Sequence, residues 1–289
     1  MAAEHAVKTG RGDVLPGPQV GVFDSGIGGL SVLRALRAQL PGVRLSYLAD
    51  SRHTPWGERP TAWVIERCGQ LSQALLAGGA QLLVVACNTA TTQAIASLRG
   101  RWTGLPVVGI EPGIKPAVAA SRRGRVAVLA TPGTLGSARL QHLVQTHARG
   151  VMLLRLPCPG LAEAIEAAGL DDSPLHKLLD RIAAQLRAAE VDTVVLGCTH
   201  YPLAARALQQ RLGPDVELVD VAQAVARRVA NLLGEQTDGA AAASATPPPD
   251  LAATGNTEVL ARAARHWLGL NLPVRAVRLP DPMIAATRG

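Results

Sequence analysis

Two cysteines stand in matching sequence contexts. Cys87 follows the run Leu-Val-Val-Ala at residues 83–86, and Cys198 follows the run Val-Val-Leu-Gly at residues 194–197. Each run has strand length, and a pattern that can open a helix follows each thiol. This predicts two thiols at the carboxyl ends of buried strands, where helix N-termini favour anions and thiolates. Alternatively, a cysteine there is a small buried hydrophobe, an interpretation that the repetition weakens.

A thiol pair across a cleft has three chemistries open to it. Redox work usually uses neighbouring thiols, and nucleophilic attack leaves the second thiol unexplained. Proton exchange uses both, because one thiolate can remove the α-proton of an amino acid while the other thiol protonates the opposite face. A free thiol has a pKa of about 8.5, so either form can be populated near neutrality. Such a reaction needs no cofactor and no metal.

The composition is that of a globular protein. The chain has 289 residues, of which 48% are hydrophobic, 18% are charged and 2% are aromatic, so the core must be aliphatic. The net charge of +7 comes mostly from arginines scattered along predicted helices. We interpret these arginines as solvated helix faces and not as a nucleic-acid surface, because no dense basic run with interleaved aromatics occurs. Small anionic substrates remain compatible with the charge.

The four cysteines, Cys68, Cys87, Cys158 and Cys198, include no CxxC pair, and the polar amino terminus resembles no secretory signal. A reducing cytoplasm is therefore expected. No Cys/His pair has zinc-finger spacing, and no apolar run approaches the roughly 20 residues that span a bilayer. Cys68, inside a helical pattern, and Cys158, at a strand end, are predicted to be structural.

A glycine-rich turn opens the fold. A short strand at residues 20–23 is followed by Asp-Ser-Gly-Ile-Gly-Gly at residues 24–29 and by helical spacing at residues 30–40. The turn lacks the GxGxxG spacing and the lysine of a P-loop, which argues against a nucleotide site. Asp24 ends the strand, and it either caps the next helix or orients a catalytic group in a cleft.

The second half of the chain repeats the first. Residues 126–134 match the plan of residues 20–28, and the motif at Cys198 follows in the same order as the motif at Cys87. This predicts an α/β fold with two similar doubly wound domains related by pseudo-symmetry and an active site in the cleft between them. The predicted organisation is a loose leader at 1–17, a discontinuous first domain at 18–112 plus 221–289 with a flexible low-complexity loop at 235–250, and a second domain at 113–220.

Four motifs together resemble the cofactor-independent glutamate racemases of the aspartate/glutamate racemase superfamily. The resemblance runs in order from about residue 18 to residue 270. It implies an isomerase that interconverts L- and D-glutamate for peptidoglycan synthesis, in the cytoplasm, with glutamate as partner and with no cofactor, metal, membrane or nucleic acid. It is compatible with a homodimer. The motifs are Asp-Ser-Gly-Ile-Gly-Gly at 24–29, Ala-Cys-Asn-Thr-Ala at 86–90, Gly-Ile-Glu-Pro at 109–112 and Gly-Cys-Thr-His-Tyr-Pro-Leu at 197–203.

The resemblance also assigns roles to residues. It implies that Cys87 and Cys198 are the two acid/base groups, that Asp24 assists the first, and that His200 and Glu166 assist the second. Taken alone, His200 could equally be a capping or buried structural histidine. The residues implied to hold the substrate are Asp24, Ser25, Trp56, Gly57, Asn88, Thr89, Thr131, Thr134, Thr199 and His200.

Two positions depart from the family pattern or leave it open. Trp56 stands where the family usually has tyrosine in Pro-Tyr-Gly, which matters little if the backbone makes the contact. Glu166 is matched only by its spacing from Cys158, so Glu163 remains a competitor. The rival functions are an aspartate or hydantoin racemase, against which the glycine turn argues, and a non-catalytic amino-acid-binding protein, against which the presence of both cysteines argues.

Overall fold

Two parallel β-sheets organise the chain. The computed structural model describes residues 18–168, 172–234 and 246–282. Within them the strands form one six-stranded and one four-stranded sheet, and every strand pair is parallel. This confirms the predicted α/β class. The predicted leader at 1–17 and residues 235–245 of the predicted loop lie outside the described residues.

The six-stranded sheet has the order β10-β9-β2-β1-β3-β4. Its strands come from the amino-terminal and carboxyl-terminal parts of the chain, which both contribute helices around it. The elements are β1 (Gln19–Asp24), α1 (Leu30–Gln39), β2 (Arg44–Ala49), α2 (Thr61–Ala77), β3 (Leu82–Val85), α3 (Asn88–Arg101), β4 (Val107–Gly109), α10 (Ala222–Gly234), β9 (Asp250–Ala253), α11 (Thr257–Leu268) and β10 (Val274–Ala276).

The four-stranded sheet has the order β6-β5-β7-β8. Its central pair, β5 and β7, corresponds to β1 and β3 in the first sheet, as the internal repeat predicts. The elements are α4 (Ile114–Ala120), β5 (Arg125–Ala130), α5 (Pro132–Leu135), α6 (Ala138–His147), β6 (Met152–Pro157), α7 (Leu161–Glu166), α8 (Ser173–Ala188), β7 (Thr193–Leu196), a 3₁₀ turn (Tyr201–Leu203), α9 (Ala205–Leu212) and β8 (Glu217–Val219).

Strand register sets the positions of the two thiols. In the first sheet Phe23 pairs with Val85, so the residue that ends β1 and the residues after β3 leave the same sheet edge. In the second sheet Leu129 pairs with Leu196 in the same way, ahead of Cys198. The carboxyl ends of parallel strands are where open α/β sheets bind ligands. Both cysteines therefore emerge at such an edge.

The core is aliphatic, as the composition predicts. The residues of β1 and β3 are buried throughout, which is typical of parallel strands covered by helices on both faces. Helix α1 buries Leu30, Leu33 and Leu36 at helical spacing and packs against α10. None of the described helices combines the length and apolarity that a membrane span requires.

Two sequence predictions are wrong at the level of elements. The predicted flexible loop at 235–250 does not extend through Asp250, because Asp250 begins β9 and that strand pairs with β2. A strand, and not a helix, thus follows the low-complexity segment, and β10 was missed as well. After Cys198 the chain makes a 3₁₀ turn and enters α9 only at Ala205, whereas α3 begins directly after Cys87. The domain boundaries themselves stay a prediction.

Candidate active site

The first thiol, Cys87, caps a helix. It is the N-cap residue of α3, and its Sγ accepts a hydrogen bond from the Ala90 backbone N–H at 3.5 Å. The thiol in turn donates to Oγ of Ser25, also at 3.5 Å. Burial raises the pKa of Cys87, and the nearby charge of Asp24 raises it further. Cys87 is therefore held as the neutral thiol, which is the form that can give up a proton.

Asp24 lies behind Cys87 and is fully buried. Its Oδ2 accepts at 2.7 Å from the backbone N–H of Gly29, the residue that immediately precedes α1. The Thr199 hydroxyl of the other half lies 3.4 Å from both carboxylate oxygens. Burial raises the pKa of Asp24, while contacts with His200, Gly29 and the Cys87 thiol act against that rise. Capping and orientation of a catalytic group, posed as alternatives by the sequence, are both compatible with this geometry.

The second thiol, Cys198, lies beside a histidine–carboxylate pair. Its Sγ is 3.7 Å from Nδ1 of His200, and Nε2 of His200 is 2.9 Å from Oε1 of Glu166. Burial lowers the pKa of His200, but hydrogen bonds and charge from Cys198 and Glu166 outweigh burial and hold that pKa well above its ordinary value. The imidazole is thus held protonated, with one N–H facing the sulfur and the other facing the carboxylate.

Glu166 connects the two halves. Besides His200, its Oε1 accepts from the Ile27 N–H and from the Thr54 hydroxyl, each at 3.3 Å. Burial acts to raise the pKa of Glu166, but His200 and these donors bring it below its ordinary value. The competing Glu163, also in α7, is exposed. Of the two glutamates, Glu166 is the one that contacts His200.

The glycine turn is close to the second half of the chain. A methyl group on Gly26 would overlap Oε1 of Glu166, and one on Gly28 would lie 2.5 Å from Nδ1 of His200. Below the turn, the Tyr47 hydroxyl donates to the Gly26 carbonyl at 2.7 Å. The glycines are therefore required for close approach to the histidine–carboxylate pair, and no phosphate-binding role is needed to explain them.

Both thiols line one cavity between the two halves. The cavity has a free volume of about 20 Å³, which is space for about one water molecule. Thr89 of the first half and Thr131 of the second meet across it, with 3.4 Å between their hydroxyls. The lining residues are Ser25, Pro55, Trp56, Gly57, Cys87, Asn88, Thr89, Thr131, Thr134, Ala162, Gly197, Cys198, Thr199 and His200.

The sequence-predicted site residues thus come together, with two exceptions in position. Asp24 and Glu166 do not line the cavity; each contacts a residue that does. For Asp24, predicted also to bind substrate, the structure supports contact with the Cys87 thiol and with Thr199. Tyr47 and Thr54, which support the turn and Glu166, were missed. A strand tyrosine is typical of a core residue, and a loop threonine carries no spacing signal.

One lining side chain has unused hydrogen-bonding capacity. The amide of Asn88 is buried, and neither its Nδ2 nor its Oδ1 has a hydrogen-bond partner among the described residues. A buried polar group without a partner costs about 1–3 kcal/mol. A ligand with a carboxylate and an ammonium group would satisfy both atoms of this amide.

The remaining two cysteines are structural in their surroundings. Cys68 is fully buried in α2, and burial raises its pKa well above the ordinary value. Burial likewise raises the pKa of Cys158 to about 12, and its thiol lies 3.5 Å from the Leu156 carbonyl. All four cysteines are reduced. In the described part of the chain, no group of three His, Cys, Asp or Glu side chains has the arrangement of a metal site.

Comparison with known proteins shows the family of this chain. Residues 30–229 match the family described as Asp/Glu/Hydantoin racemase. A glutamate racemase of Ectopseudomonas mendocina is 50% identical over 216 residues, covering 75% of this chain and 82% of that protein. One from Pseudomonas aeruginosa is 46% identical over 228 residues, covering 79% and 86%.

A solved structure is similar over most of the chain. The Escherichia coli glutamate racemase, in complex with L-glutamate and the activator UDP-MurNAc-ala, superposes with a TM-score of 0.79 at 34% identity. The match covers 92% of this chain and 100% of that chain. The likeness therefore extends to the arrangement of both sheets.

Proposed function

Because this chain belongs to the Asp/Glu/Hydantoin racemase family, we propose that it is a glutamate racemase, an isomerase that interconverts L- and D-glutamate. The observation that carries the proposal is that Cys87 and Cys198, one from each half, line a single cavity. A planar carbanion held between them can be protonated from either face. The proposal includes the two-thiol mechanism and the residue roles that follow.

In the direction from L to D, Cys198 acts as the base. His200, whose pKa is held above its ordinary value, lies with Nδ1 3.7 Å from Sγ of Cys198 and can donate a hydrogen bond to that sulfur. The Cys198 thiolate removes the α-proton, and the neutral Cys87 thiol delivers its own proton to the opposite face. The product is the other enantiomer, and the enzyme is left with a Cys198 thiol and a Cys87 thiolate.

In the direction from D to L, Cys87 must begin as the thiolate. Asp24 contacts the Cys87 thiol, and burial raises the pKa of this carboxyl group, so that it is a better proton acceptor than an exposed aspartate. The α-ammonium group of the substrate adds a positive charge near both thiols and favours the thiolate forms further. Cys198, returned to its thiol form, then donates to the other face.

Binding of the substrate is assigned to the polar lining of the cavity. Asn88 gains from it the hydrogen bonds that it lacks, and its neighbours Ser25, Thr89 and Thr199 supply further hydroxyl groups. Across the cavity, Oγ1 of Thr131 accepts from the Thr134 N–H, and the Thr131 hydroxyl donates to Oγ1 of Thr134, so the hydroxyl proton of Thr134 is left for a second carboxylate. Two carboxylates at opposite ends of the cavity fit glutamate better than a monocarboxylic amino acid.

The decisive test is racemisation in deuterium oxide. Purified protein is incubated with L-glutamate without pyridoxal phosphate, and circular dichroism and proton NMR are recorded. We expect loss of optical activity together with exchange of the α-proton for deuterium. Absence of both, under conditions in which a known glutamate racemase is active, would overturn the proposed function. L-aspartate under the same conditions tests the rival substrate.

The physiological setting is part of the proposal. D-glutamate would supply peptidoglycan synthesis in the cytoplasm, in keeping with four reduced cysteines. A homodimer is also retained as a prediction, to be tested by sedimentation of the purified protein.

A further inference from the structure

A fully buried ion pair lies beneath the loop that reaches the cavity. Asp50, the first residue after β2, is 0% exposed, and Arg67 of α2 is 0% exposed. Arg67 donates from Nε at 2.9 Å and from Nη2 at 2.6 Å to the two carboxylate oxygens of Asp50. The Thr254 hydroxyl, just after β9, donates to the same carboxylate at 2.7 Å.

His53 extends this pair to the carboxyl-terminal segment. Its Nδ1 lies 3.2 Å from Oδ2 of Asp50, and its Nε2 lies 3.0 Å from Oδ1 of Asp281. Arg67 reaches the same segment, because its Nη1 donates to the Pro280 carbonyl at 2.8 Å. We call Asp50, His53, Arg67, Thr254 and Asp281 the Asp50 network. It joins four parts of the chain that are distant in sequence.

The loop that contains His53 contributes directly to the active site. Thr54 donates to Glu166, and Trp56 and Gly57 line the cavity. The His53 ring packs edge-on against Trp63, which packs edge-on against Trp56, with ring centroids 5.4 Å and 5.6 Å apart. Two ring contacts therefore connect His53 to Trp56 in the cavity wall.

We propose that the Asp50 network positions the loop at residues 51–57 for substrate binding, and that Asp281 of the carboxyl-terminal segment completes it. None of the five residues lines the cavity, so they are positioning residues and not catalytic ones. The argument rests on the proposed function for its kinetic part and on geometry alone for its structural part. The carboxyl-terminal segment thus gains a role in the reaction, although Asp281 is 228 residues from His53 in the sequence.

The exposed end of the network gives the sharpest test. The buried Asp50–Arg67 pair is unsuitable, since removal of either partner would test folding. Asp281→Ala removes only the outer carboxylate, whose side chain is 67% exposed. Asp180→Ala is a matched control. Asp180 of α8 is 65% exposed, and its carboxylate pairs with Arg211 of α9 at 2.6 Å. Asp281→Asn retains an acceptor oxygen for His53.

The kinetic expectation follows from the fraction of molecules with an ordered loop. If Asp281→Ala lowers that fraction to about 0.1–0.3, the apparent affinity falls in proportion. KM for glutamate should then rise about 3- to 10-fold with kcat within about twofold, and Asp281→Asn should restore most of the loss. An effect on kcat alone, or a KM equal to that of Asp180→Ala, would overturn the proposal.

A second measurement does not depend on activity. Arg52 is 60% exposed, lies 4.0 Å from the Asp281 carboxylate and precedes His53, so trypsin can cut there when the loop opens. Asp281→Asn loses the charge that faces Arg52 but keeps an acceptor for His53, so slow cleavage in that variant separates the two contacts. Cleavage after Arg52 should be faster in Asp281→Ala by at least about threefold, with cleavage after the exposed Arg149 unchanged as an internal reference. Equal Arg52 cleavage in both proteins would refute the positioning role. An inactive wild-type protein would count against the proposed function, but the cleavage comparison would still decide this inference.

Discussion

The Nε2 atom of His200 lies 2.9 Å from Oε1 of Glu166, and the same oxygen accepts from the backbone of the glycine turn. Glu166 thus contacts the histidine beside Cys198 within the second half and is itself held by a backbone N–H of the first half. Because Glu166 also raises the pKa of His200, this contact links the closed arrangement of the cavity to the protonation of the imidazole. Opening the cleft would remove the Ile27 and Thr54 donors from Glu166.

Glu166→Gln should change the pH dependence of the reaction. The amide keeps the shape but removes the charge that helps to raise the pKa of His200, so that pKa should fall. Protonated His200, whose positive charge lies 3.7 Å from Sγ of Cys198, would then be lost at lower pH. We expect the basic limb of the kcat/KM profile for L-glutamate to move to lower pH. Glu163→Gln, an exposed site in the same helix, should leave the profile unchanged.

The same substitution should change stability in a defined pH window. The pKa of Glu166 is lowered in the folded protein, so its charge stabilises the fold at pH values above the ordinary pKa of 4.5. This stabilisation is lost as the pH falls through the pKa that Glu166 has in the folded protein. The pKa of His200 is raised in the folded protein, so its contribution to stability is fully present below pH 6.5, the ordinary pKa of histidine. This contribution is lost as the pH rises through the pKa that His200 has in the folded protein. Urea unfolding should therefore show the largest loss for Glu166→Gln, about 1.5–3 kcal/mol, between those limits. A loss that does not vary with pH would contradict this.

Gly26→Ala should impair the same pair from the other side of the cleft. The new methyl group would overlap Oε1 of Glu166 and displace it from His200. We expect kcat/KM to fall by at least about tenfold, equivalent to about 1.4 kcal/mol. In the double variant with Glu166→Gln the losses should not add, because both act on one contact. Gly100→Ala is the control, since nothing lies within 4 Å of its added Cβ.

The sequence was sufficient for the parts of this site that depend on strand ends. Cys87 and Cys198 were predictable because a short buried parallel strand brings the residues that follow it to the binding edge of its sheet. Contacts between side chains of different elements leave no comparable pattern in the sequence. The Asp50–Arg67 pair joins a strand end to a helix 17 residues on, and neither residue belongs to a recognisable pattern. Strand β10, with three residues, is too short for an alternation to be detected.

Trp56→Tyr tests what the departure from the family pattern means. The indole is buried against Trp63, and its Nε1 has no hydrogen-bond partner in the part of the chain that the structure describes. If its role is packing, kcat/KM should remain within about tenfold, while the smaller ring should cost about 1–3 kcal/mol in urea unfolding. Trp102→Tyr, outside the cavity, is the control. A much larger fall in kcat/KM would mean that the indole itself contacts substrate.

The two thiols should fail differently when each is replaced by serine. A serine hydroxyl can donate a proton, but its alkoxide is far too basic to form near neutrality, so each variant loses one base. Cys87→Ser and Cys198→Ser should both lose racemisation of either enantiomer. A substrate with a leaving group on the β-carbon separates abstraction from reprotonation, because it needs only the first.

With 3-chloroglutamate, removal of the α-proton expels chloride and gives an enamine, which hydrolyses to 2-oxoglutarate and ammonium. The family resemblance implies that Cys198 faces the L-enantiomer and Cys87 the D-enantiomer. Cys87→Ser should therefore form 2-oxoglutarate only from the L-compound, and Cys198→Ser only from the D-compound, as a coupled dehydrogenase assay would measure. Equal elimination from both enantiomers, or racemisation that survives either substitution, would mean that the thiols do not divide the two faces of the α-carbon between them.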